Sequence, residues 1–121
     1  MDYDVFIISP VRGITEQQIA SIRRYIQYLR DEGRVIYWPY EDTGQNDDTG
    51  YAICRANRKA LENSKAVHVW WQPDSEGSLF DLGMAWALNK PMRLINLHTA
   101  KYHANLCLGK CFHKVLLEWT R

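Results

Sequence analysis

Residues 5–33 read VFIISPVRGITEQQIASIRRYIQYLRDEG, an apolar run of strand length followed by an amphipathic helical stretch. The four apolar residues at its start predict a buried strand. Thr15 and Gln18 have the spacing of a capping box at a helix start. Apolar residues then recur at helical spacing as far as Leu29, before Gly33 supplies the stop. The segment therefore predicts a strand and a helix of about four turns that buries one stripe.

Strand-like and helical stretches continue to alternate after this segment. Further strands are expected at 35–38, 66–71 and 92–97, helices at 51–63 and 78–89, and a polar loop at 41–50. Residues 106–108 favour a helical turn, and residues 115–117 favour a fifth strand or a terminal helix. Because such alternation builds parallel sheets through right-handed crossovers, we expect an α/β three-layer sandwich, flavodoxin-like, with four to five mostly parallel strands.

Length and composition restrict the partners of the protein. The 121 residues predict a single domain over residues 1–121. Fifteen Lys and Arg against 14 Asp and Glu give a net charge of +1, so we expect no unspecific binding to nucleic acid or to an anionic membrane. The acidic start and the lack of a long apolar run predict a cytoplasmic protein. Three cysteines without a scaffold spacing predict reduced thiols.

Ligands of such a sheet bind at the carboxyl ends of its strands, so chemistry is expected in the loops that follow the first three strands. The glycine motifs of ATPases and dinucleotide enzymes are absent there, which removes most support for ATP hydrolysis and NAD redox chemistry. The first loop holds Ser9, Arg12 and Gly13 directly before the capped helix. These residues can cradle an anion. A turn with a solvated arginine is the alternative, and these residues alone favour it.

Two polar residues stand out on the predicted helices. Asp81 follows the third strand and nearly completes a capping box with Ser78, so spacing alone favours a structural role. The same place suits a carboxylate that acts as a nucleophile or stabilises a cation. Asn57 falls on the inward face of the second helix together with Ile53. An inward amide must find hydrogen bonds, either from a neighbouring loop or from a ligand.

Three segments resemble one enzyme family in the same order: residues 6–13, the helix with Asn57, and residues 74–85. The family is the nucleoside 2-deoxyribosyltransferases with their relatives, the 2'-deoxynucleoside 5'-monophosphate N-glycosidases. The resemblance covers about residues 4–96. Its most specific part is the pattern Gly-x-x-x-acid-x-Gly-x-Ala, followed by Asn-Lys-Pro at 89–91. It implies a flavodoxin-like sandwich and cleavage of the bond between a nucleobase and deoxyribose.

The resemblance also implies catalytic residues. The acid of the pattern is Asp81 here, where the family has a Glu that attacks C1' and forms a covalent glycosyl-enzyme. Asp is one methylene shorter, so the backbone would have to compensate. An Asp of the family that contacts the sugar or base maps onto Asn57. Glu76 and Asp74 are candidates for protonating the leaving base, with solvated loop residues as the alternative.

Other positions are expected to bind the substrate. The 5'-phosphate site of the monophosphate N-glycosidases carries over onto Ser9, Arg12, Gly13, Ser75 and Gly77. A site for an uncharged nucleoside has no use for the guanidinium of Arg12, so this residue favours a nucleotide. Trp38 and Tyr40 are candidates to contact the base or sugar, and ordinary packing is an equal alternative.

The leading hypothesis is therefore cleavage, by hydrolysis or transfer, of the N-glycosidic bond of a (deoxy)nucleoside 5'-monophosphate. The alternatives are a deoxyribosyltransferase acting on uncharged nucleosides and a non-catalytic nucleotide-binding module. No cofactor and no metal are expected. The weak metal alternative is a set of His103, Cys107 and Cys111 on one helix face, with His98 and His113 nearby. His68, on an apolar strand, is expected to be a satisfied core or sheet-face histidine.

A single small sheet offers little to close over a nucleotide and exclude water. Members of the resembled family oligomerise, so that neighbouring subunits complete each other's pockets. The predicted third helix is apolar on nearly all sides, with Leu79, Phe80, Leu82, Met84, Trp86 and Leu88. The sequence therefore predicts a homo-oligomer, a dimer or larger.

Overall fold

The computed structural model of the protein describes residues 2–120. Its elements are β1 (Tyr3–Ile8), α1 (Glu16–Asp31), β2 (Ile36–Tyr37), α2 (Pro39–Asp42), α3 (Tyr51–Glu62), β3 (Ser64–Val69), α4 (Glu76–Ala87), β4 (Met92–Leu94), α5 (Leu97–Leu106) and α6 (Phe112–Trp119). The four strands form one parallel sheet in the order β2-β1-β3-β4. Helices flank this sheet, so the expected α/β sandwich with a flavodoxin-like arrangement is confirmed.

The central strand β1 supplies both hydrophobic cores. Phe6 and Ile8 point into a cluster that also contains residues of α3, α4 and α6. Val5 and Ile7 point into a second cluster with the buried stripe of α1. Alternate residues of a strand face opposite sides of a sheet, and each such side chain contributes about 1.5–3 kcal/mol when fully buried. The run of consecutive apolar residues in β1 is thus explained by its position between two helical layers.

The first helix begins and ends as its sequence predicts. Thr15 Oγ1 accepts a hydrogen bond from the Gln18 N–H at 3.1 Å, and Gln18 Oε1 accepts one from the Thr15 N–H at 3.0 Å. This capping box satisfies two backbone groups that the helix itself cannot pair, and such a cap contributes about 1 kcal/mol. Gly33 follows the helix with a φ of +87°, a conformation that favours glycine.

Two strands are shorter than predicted. The second ends at Tyr37, because Trp38 is the N-cap of the short helix α2 and Pro39 takes its first position. The Trp38 N–H donates to Asp42 Oδ2 at 2.8 Å, which fixes this turn. The fourth strand ends at Leu94, and the side chain of Asn96 then bonds the backbone of Trp71 in both directions. The short helix α2, which the sequence did not predict, overlaps the start of the predicted polar loop.

The last part of the chain is helical. Residues 115–117 lie within α6, so the terminal-helix alternative is correct and the fifth strand is wrong. The helical turn expected at 106–108 is also wrong, because α5 ends at Leu106. Leu116 is buried in the core beside α4, and Trp119 Nε1 donates to the Lys90 carbonyl at 3.1 Å. Burial of one face of α6 against the rest of the molecule selects the helix.

The alternative of a metal-binding set on one helix face is wrong. Cys107 lies just after α5 and Cys111 just before α6, so they do not share a helix with His103. His113 Nδ1 instead accepts a hydrogen bond from Trp71 Nε1 at 2.9 Å. No group of three potential metal ligands is found between residues 2 and 120, and the cysteines are free thiols.

The buried His68 has a partner of its own. Tyr25 OH lies 2.6 Å from His68 Nδ1, and burial lowers the pKa of this histidine to about 4. The ring is therefore neutral and is paired with the Tyr25 hydroxyl, and His68 is a satisfied sheet-face histidine as expected. No helix within residues 2–120 has the length and hydrophobicity that a membrane crossing needs.

Candidate active site

A cavity of about 710 Å³ opens at the carboxyl ends of β1 and β3. Its wall is made by the loops that follow these strands, by residues 45–50, and by the first turns of α3 and α4. The structure brings most of the predicted site residues together here: Ser9, Arg12, Asn57, Asp74, Ser75, Glu76, Gly77 and Asp81. Gly13, Trp38 and Tyr40 do not line this cavity.

Asp81 reaches the cavity from the second turn of α4. The helix begins at Glu76, earlier than predicted, because Ser75 and not Ser78 is its N-cap. The Ser78 N–H donates to Ser75 Oγ at 3.2 Å, and Ser75 Oγ donates to Ser78 Oγ at 2.8 Å. Asp81 therefore lies beyond the capping positions, and the structural explanation that the sequence favoured for it is wrong.

Burial controls the ionisation of Asp81. Its residue is only 8% exposed, and this desolvation raises the pKa of its carboxyl group to about 7. A hydrogen bond from the Asn57 side chain acts in the opposite direction, because it stabilises the ionised form. Near neutral pH the carboxyl group is therefore divided between its protonated and ionised forms. A poorly hydrated carboxylate of this kind is suited to nucleophilic attack.

Asn57 is oriented by a chain of hydrogen bonds. Thr43 Oγ1 donates to Asn57 Oδ1 at 2.8 Å, and Tyr37 OH lies 2.5 Å from Thr43 Oγ1. Since the Thr43 hydroxyl proton is already used, Tyr37 must be the donor in this pair. The amide oxygen of Asn57 is thus occupied, and its NH₂ group is left to donate to Asp81. The bond to Thr43 confirms the loop alternative for Asn57, and contact with a ligand stays a prediction.

Sequence reasoning missed Thr43 and Tyr37 as partners of this site. Neither belongs to a motif, and Thr43 lies in the loop that was predicted only as polar. The one available signal was that an inward amide such as Asn57 needs partners. That requirement does not identify which residues of a distant loop satisfy it.

The candidate phosphate residues come from two elements of the cavity wall, the loop after β1 and the start of α4. Ser9 is buried, accepts a hydrogen bond from Trp38 Nε1 at 2.9 Å and donates to the Pro10 carbonyl at 3.3 Å. Arg12 is exposed and extends from the same loop. Ser75 and Gly77 are at the N-terminus of α4, where unpaired backbone N–H groups attract anions. A guanidinium and a helix N-terminus therefore border one cavity.

The predicted aromatic contacts lie elsewhere. Trp38 is 1% exposed and packs in the core on the α1 side of the sheet, so it cannot stack on a base. Tyr40 stacks on Trp38, with ring centroids 4.8 Å apart. Gly13 has a φ of +68° in the turn before α1 and contributes no lining atom. The aromatic ring on the cavity wall is that of Phe80, which is 56% exposed.

Comparison of the sequence with protein-family models gives no match, and comparison with curated proteins gives no significant match. The chemistry of the cavity is therefore the basis for a functional proposal.

Proposed function

We propose that the protein cleaves the N-glycosidic bond of a (deoxy)nucleoside 5'-monophosphate, by hydrolysis or by transfer. The observation that supports this most strongly is the buried carboxyl group of Asp81 at the edge of the sheet, held by Asn57. It lies on the wall of the same cavity as Arg12, the N-terminus of α4 and Ser9. A nucleophile and an anion site in one cavity are what a nucleotide glycosidase requires, and this chemistry needs no cofactor.

The reaction proceeds in two steps. The ionised carboxylate of Asp81 attacks C1', the bond from C1' to the base nitrogen breaks, and its electron pair leaves with the base. Water or a second base then attacks C1' and releases Asp81. Asn57 donates to the carboxylate and keeps it in one orientation. Glu76 and Asp74, also on the wall, are the candidates for protonating a leaving base that needs a proton.

The 5'-phosphate is assigned to the side of the cavity with Arg12. Its guanidinium can form two parallel hydrogen bonds with phosphate oxygens. The start of α4 adds backbone N–H groups near Ser75 and Gly77. An uncharged nucleoside would leave Arg12 without a partner, so the monophosphate is the better substrate.

Release of free base tests the proposal. The protein is incubated with a panel of nucleosides and 5'-monophosphates, and the base is quantified by liquid chromatography. Asp81→Asn keeps the side-chain shape but removes the nucleophile, and we expect release to fall by at least about a thousandfold. Asp31→Asn is the matched control, because Asp31 lies exposed on α1 and bonds Gln27 there.

Intact-protein mass spectrometry with a slow-reacting 2-fluoro substrate provides a second readout. A sugar adduct should form on the wild-type protein and not on Asp81→Asn. Unchanged turnover in the variant contradicts the assignment of the nucleophile. Nucleotide binding with no release of base would favour the non-catalytic module instead.

The cellular setting is part of the proposal. We infer that the protein acts in the cytoplasm, where its three thiols stay reduced. We also infer a homo-oligomer, because α4 leaves the large apolar side chains of Phe80 and Trp86 exposed.

A further inference from the structure

The charges on the cavity wall are unbalanced. Of the wall side chains described between residues 2 and 120, Arg12 is the only cationic one. The carboxylates of the wall, besides Asp81, are those of Asp47, Asp48, Asp74 and Glu76. A concave site with an excess of one sign concentrates ligands of the opposite sign. A nucleotide with an uncharged base brings only negative charge, so it matches Arg12 but not the rest of this wall.

The acidic side chains at positions 47 and 48 belong to a loop segment that contains no Lys, Arg or His. They lie in the segment 43–50, whose sequence is TGQNDDTG. Asp47 is fixed in place, because its Oδ2 accepts from the Ile53 N–H at 3.1 Å and its Oδ1 from the Thr49 N–H at 3.4 Å. These backbone hydrogen bonds lower the pKa of Asp47 and keep it ionised. This part of the wall therefore holds a permanent negative charge.

Hydrogen bonds connect the same segment to Asp81, the proposed nucleophile. Thr43 lies at its start and bonds Asn57, which in turn donates to Asp81. Arg12 reaches the cavity from a different element, the loop after β1. A phosphate bound by Arg12 leaves the acidic segment, a different element of the same wall, for the rest of the substrate.

Asp74 and Glu76, the candidates for protonating a leaving base, are both exposed on the cavity wall. Among the described lining residues there is no His, Lys or Tyr side chain. A neutral base departs as an anion unless it is protonated, whereas a base with a quaternised ring nitrogen departs as a neutral molecule without any proton. A cationic base therefore needs no proton donor on the wall.

We propose that the preferred substrate is an N-glycoside whose base is cationic, a pyridinium or an N-alkylated purine, with its positive charge facing the acidic segment 43–50. This inference rests on the proposed function. In the first step the bond between Asp81 Oδ and C1' forms and the bond from C1' to the ring nitrogen breaks. The electron pair of the broken bond neutralises the ring nitrogen. Water then bonds to C1', Asp81 is released as a carboxylate, and one proton passes to solvent.

Binding to the inactive Asp81→Asn variant separates recognition from turnover. The probes are nicotinamide mononucleotide, whose base is cationic, and its dihydro form, which has the same sugar and phosphate but an uncharged base. By titration calorimetry we expect the cationic probe to bind about tenfold more tightly at low salt. The ratio should shrink at about 0.5 M salt, because screening weakens exposed charges. Equal or weaker binding of the cationic probe overturns the inference.

A single substitution tests the location of the effect. Asp48 is exposed, so Asp48→Asn is expected to fold normally. Combined with Asp81→Asn, it should weaken binding of the cationic probe about threefold and leave the dihydro probe unchanged. Asp31→Asn alters the net charge equally but lies outside the cavity, and it should change neither affinity. An equal loss for both probes, or no loss for the cation, overturns the assignment.

Turnover by the wild-type protein distinguishes this inference from the proposed function. Release of base is measured from nicotinamide mononucleotide and from uridine and deoxyuridine 5'-monophosphates. Faster release from the cationic substrate, together with its dependence on Asp48, supports both. Release from the neutral-base nucleotides without a preference for the cation overturns the inference and leaves the proposed function intact. No release from any substrate overturns the proposed function, and with it the inference.

Discussion

Asp81 makes the stability of the fold depend on pH. Burial raises the pKa of its carboxyl group from 3.8 to about 7 in the folded protein. The folded state therefore holds this proton more tightly than the unfolded state does. The resulting stabilisation is complete below about pH 4 and is lost as the pH rises through about 7. From the size of the shift, the loss is on the order of 4 kcal/mol.

Asp81→Asn removes this titration. Because the amide stays neutral, the variant is expected to be more stable than the wild type at about pH 8.5 and to differ little at about pH 3.5. Urea denaturation of both proteins at the two pH values measures the effect. Asp31→Asn, on the surface of α1, should follow the wild-type curve. Parallel pH curves for the wild type and Asp81→Asn would contradict the raised pKa.

At the scale of elements, the start of α4 depends on Ser75. Its hydroxyl accepts the Ser78 N–H, as an N-cap does. Ser75→Ala should cost about 1 kcal/mol in the free energy of unfolding. Ser75→Asp keeps an N-cap acceptor and complements the helix dipole, so it should stay close to the wild type. It should nevertheless weaken phosphate binding, because it adds a negative charge beside the anion site.

Thermal unfolding and nucleotide titration of the same two variants measure both effects. A stability loss shared by Ser75→Ala and Ser75→Asp would show that the hydroxyl does more than cap α4. Equal nucleotide affinity of Ser75→Asp and the wild type would place the phosphate away from this helix end.

Local sequence signals predicted the elements whose determinants are local. The capping box of α1 lies within four residues, and it forms as its spacing indicates. The start of α4 was misplaced because Ser75 and Ser78 are both acceptable N-caps, and only the surrounding packing chooses between them. Residues 115–117 fit a strand or a helix equally well until the burial of Leu116 in the core is known.

The same difference between local and long-range determinants applies to the candidate site. The alternation of strands and helices predicts that Asp81 lies near the carboxyl ends of the strands. It also predicts that Asp81 and Arg12 line the same cavity. The pairing of Asn57 with Thr43 joins residues 14 positions apart and has no local signature. The sequence left two places open for Trp38, because an aromatic residue after a strand can turn toward the cavity or toward the core. Its ring packs with Val5, Ile7 and the buried stripe of α1, which decides for the core.

At the scale of the whole molecule, one face exposes more apolar surface than a monomer of this size needs. Trp86 on α4 is 59% exposed and packs edge-on against Trp119 of α6, with ring centroids 5.2 Å apart. Beside this pair lies an apolar depression of about 650 Å³, which Val115 also lines. Contiguous exposed apolar patches of this kind mark protein interfaces. The net charge of +1 adds no long-range repulsion between copies.

We therefore predict that the protein is a homo-oligomer in solution and that this face forms the contact. Trp86→Glu places a charge in the centre of the contact and should yield a monomer, because an unpaired charge is costly to bury. Tyr28→Glu is the matched control, since Tyr28 is an exposed aromatic residue on α1, in the layer on the other side of the sheet. Light scattering coupled to size-exclusion chromatography gives the mass of each species. A monomeric wild-type protein, or an oligomer that Trp86→Glu leaves intact, would contradict this interface.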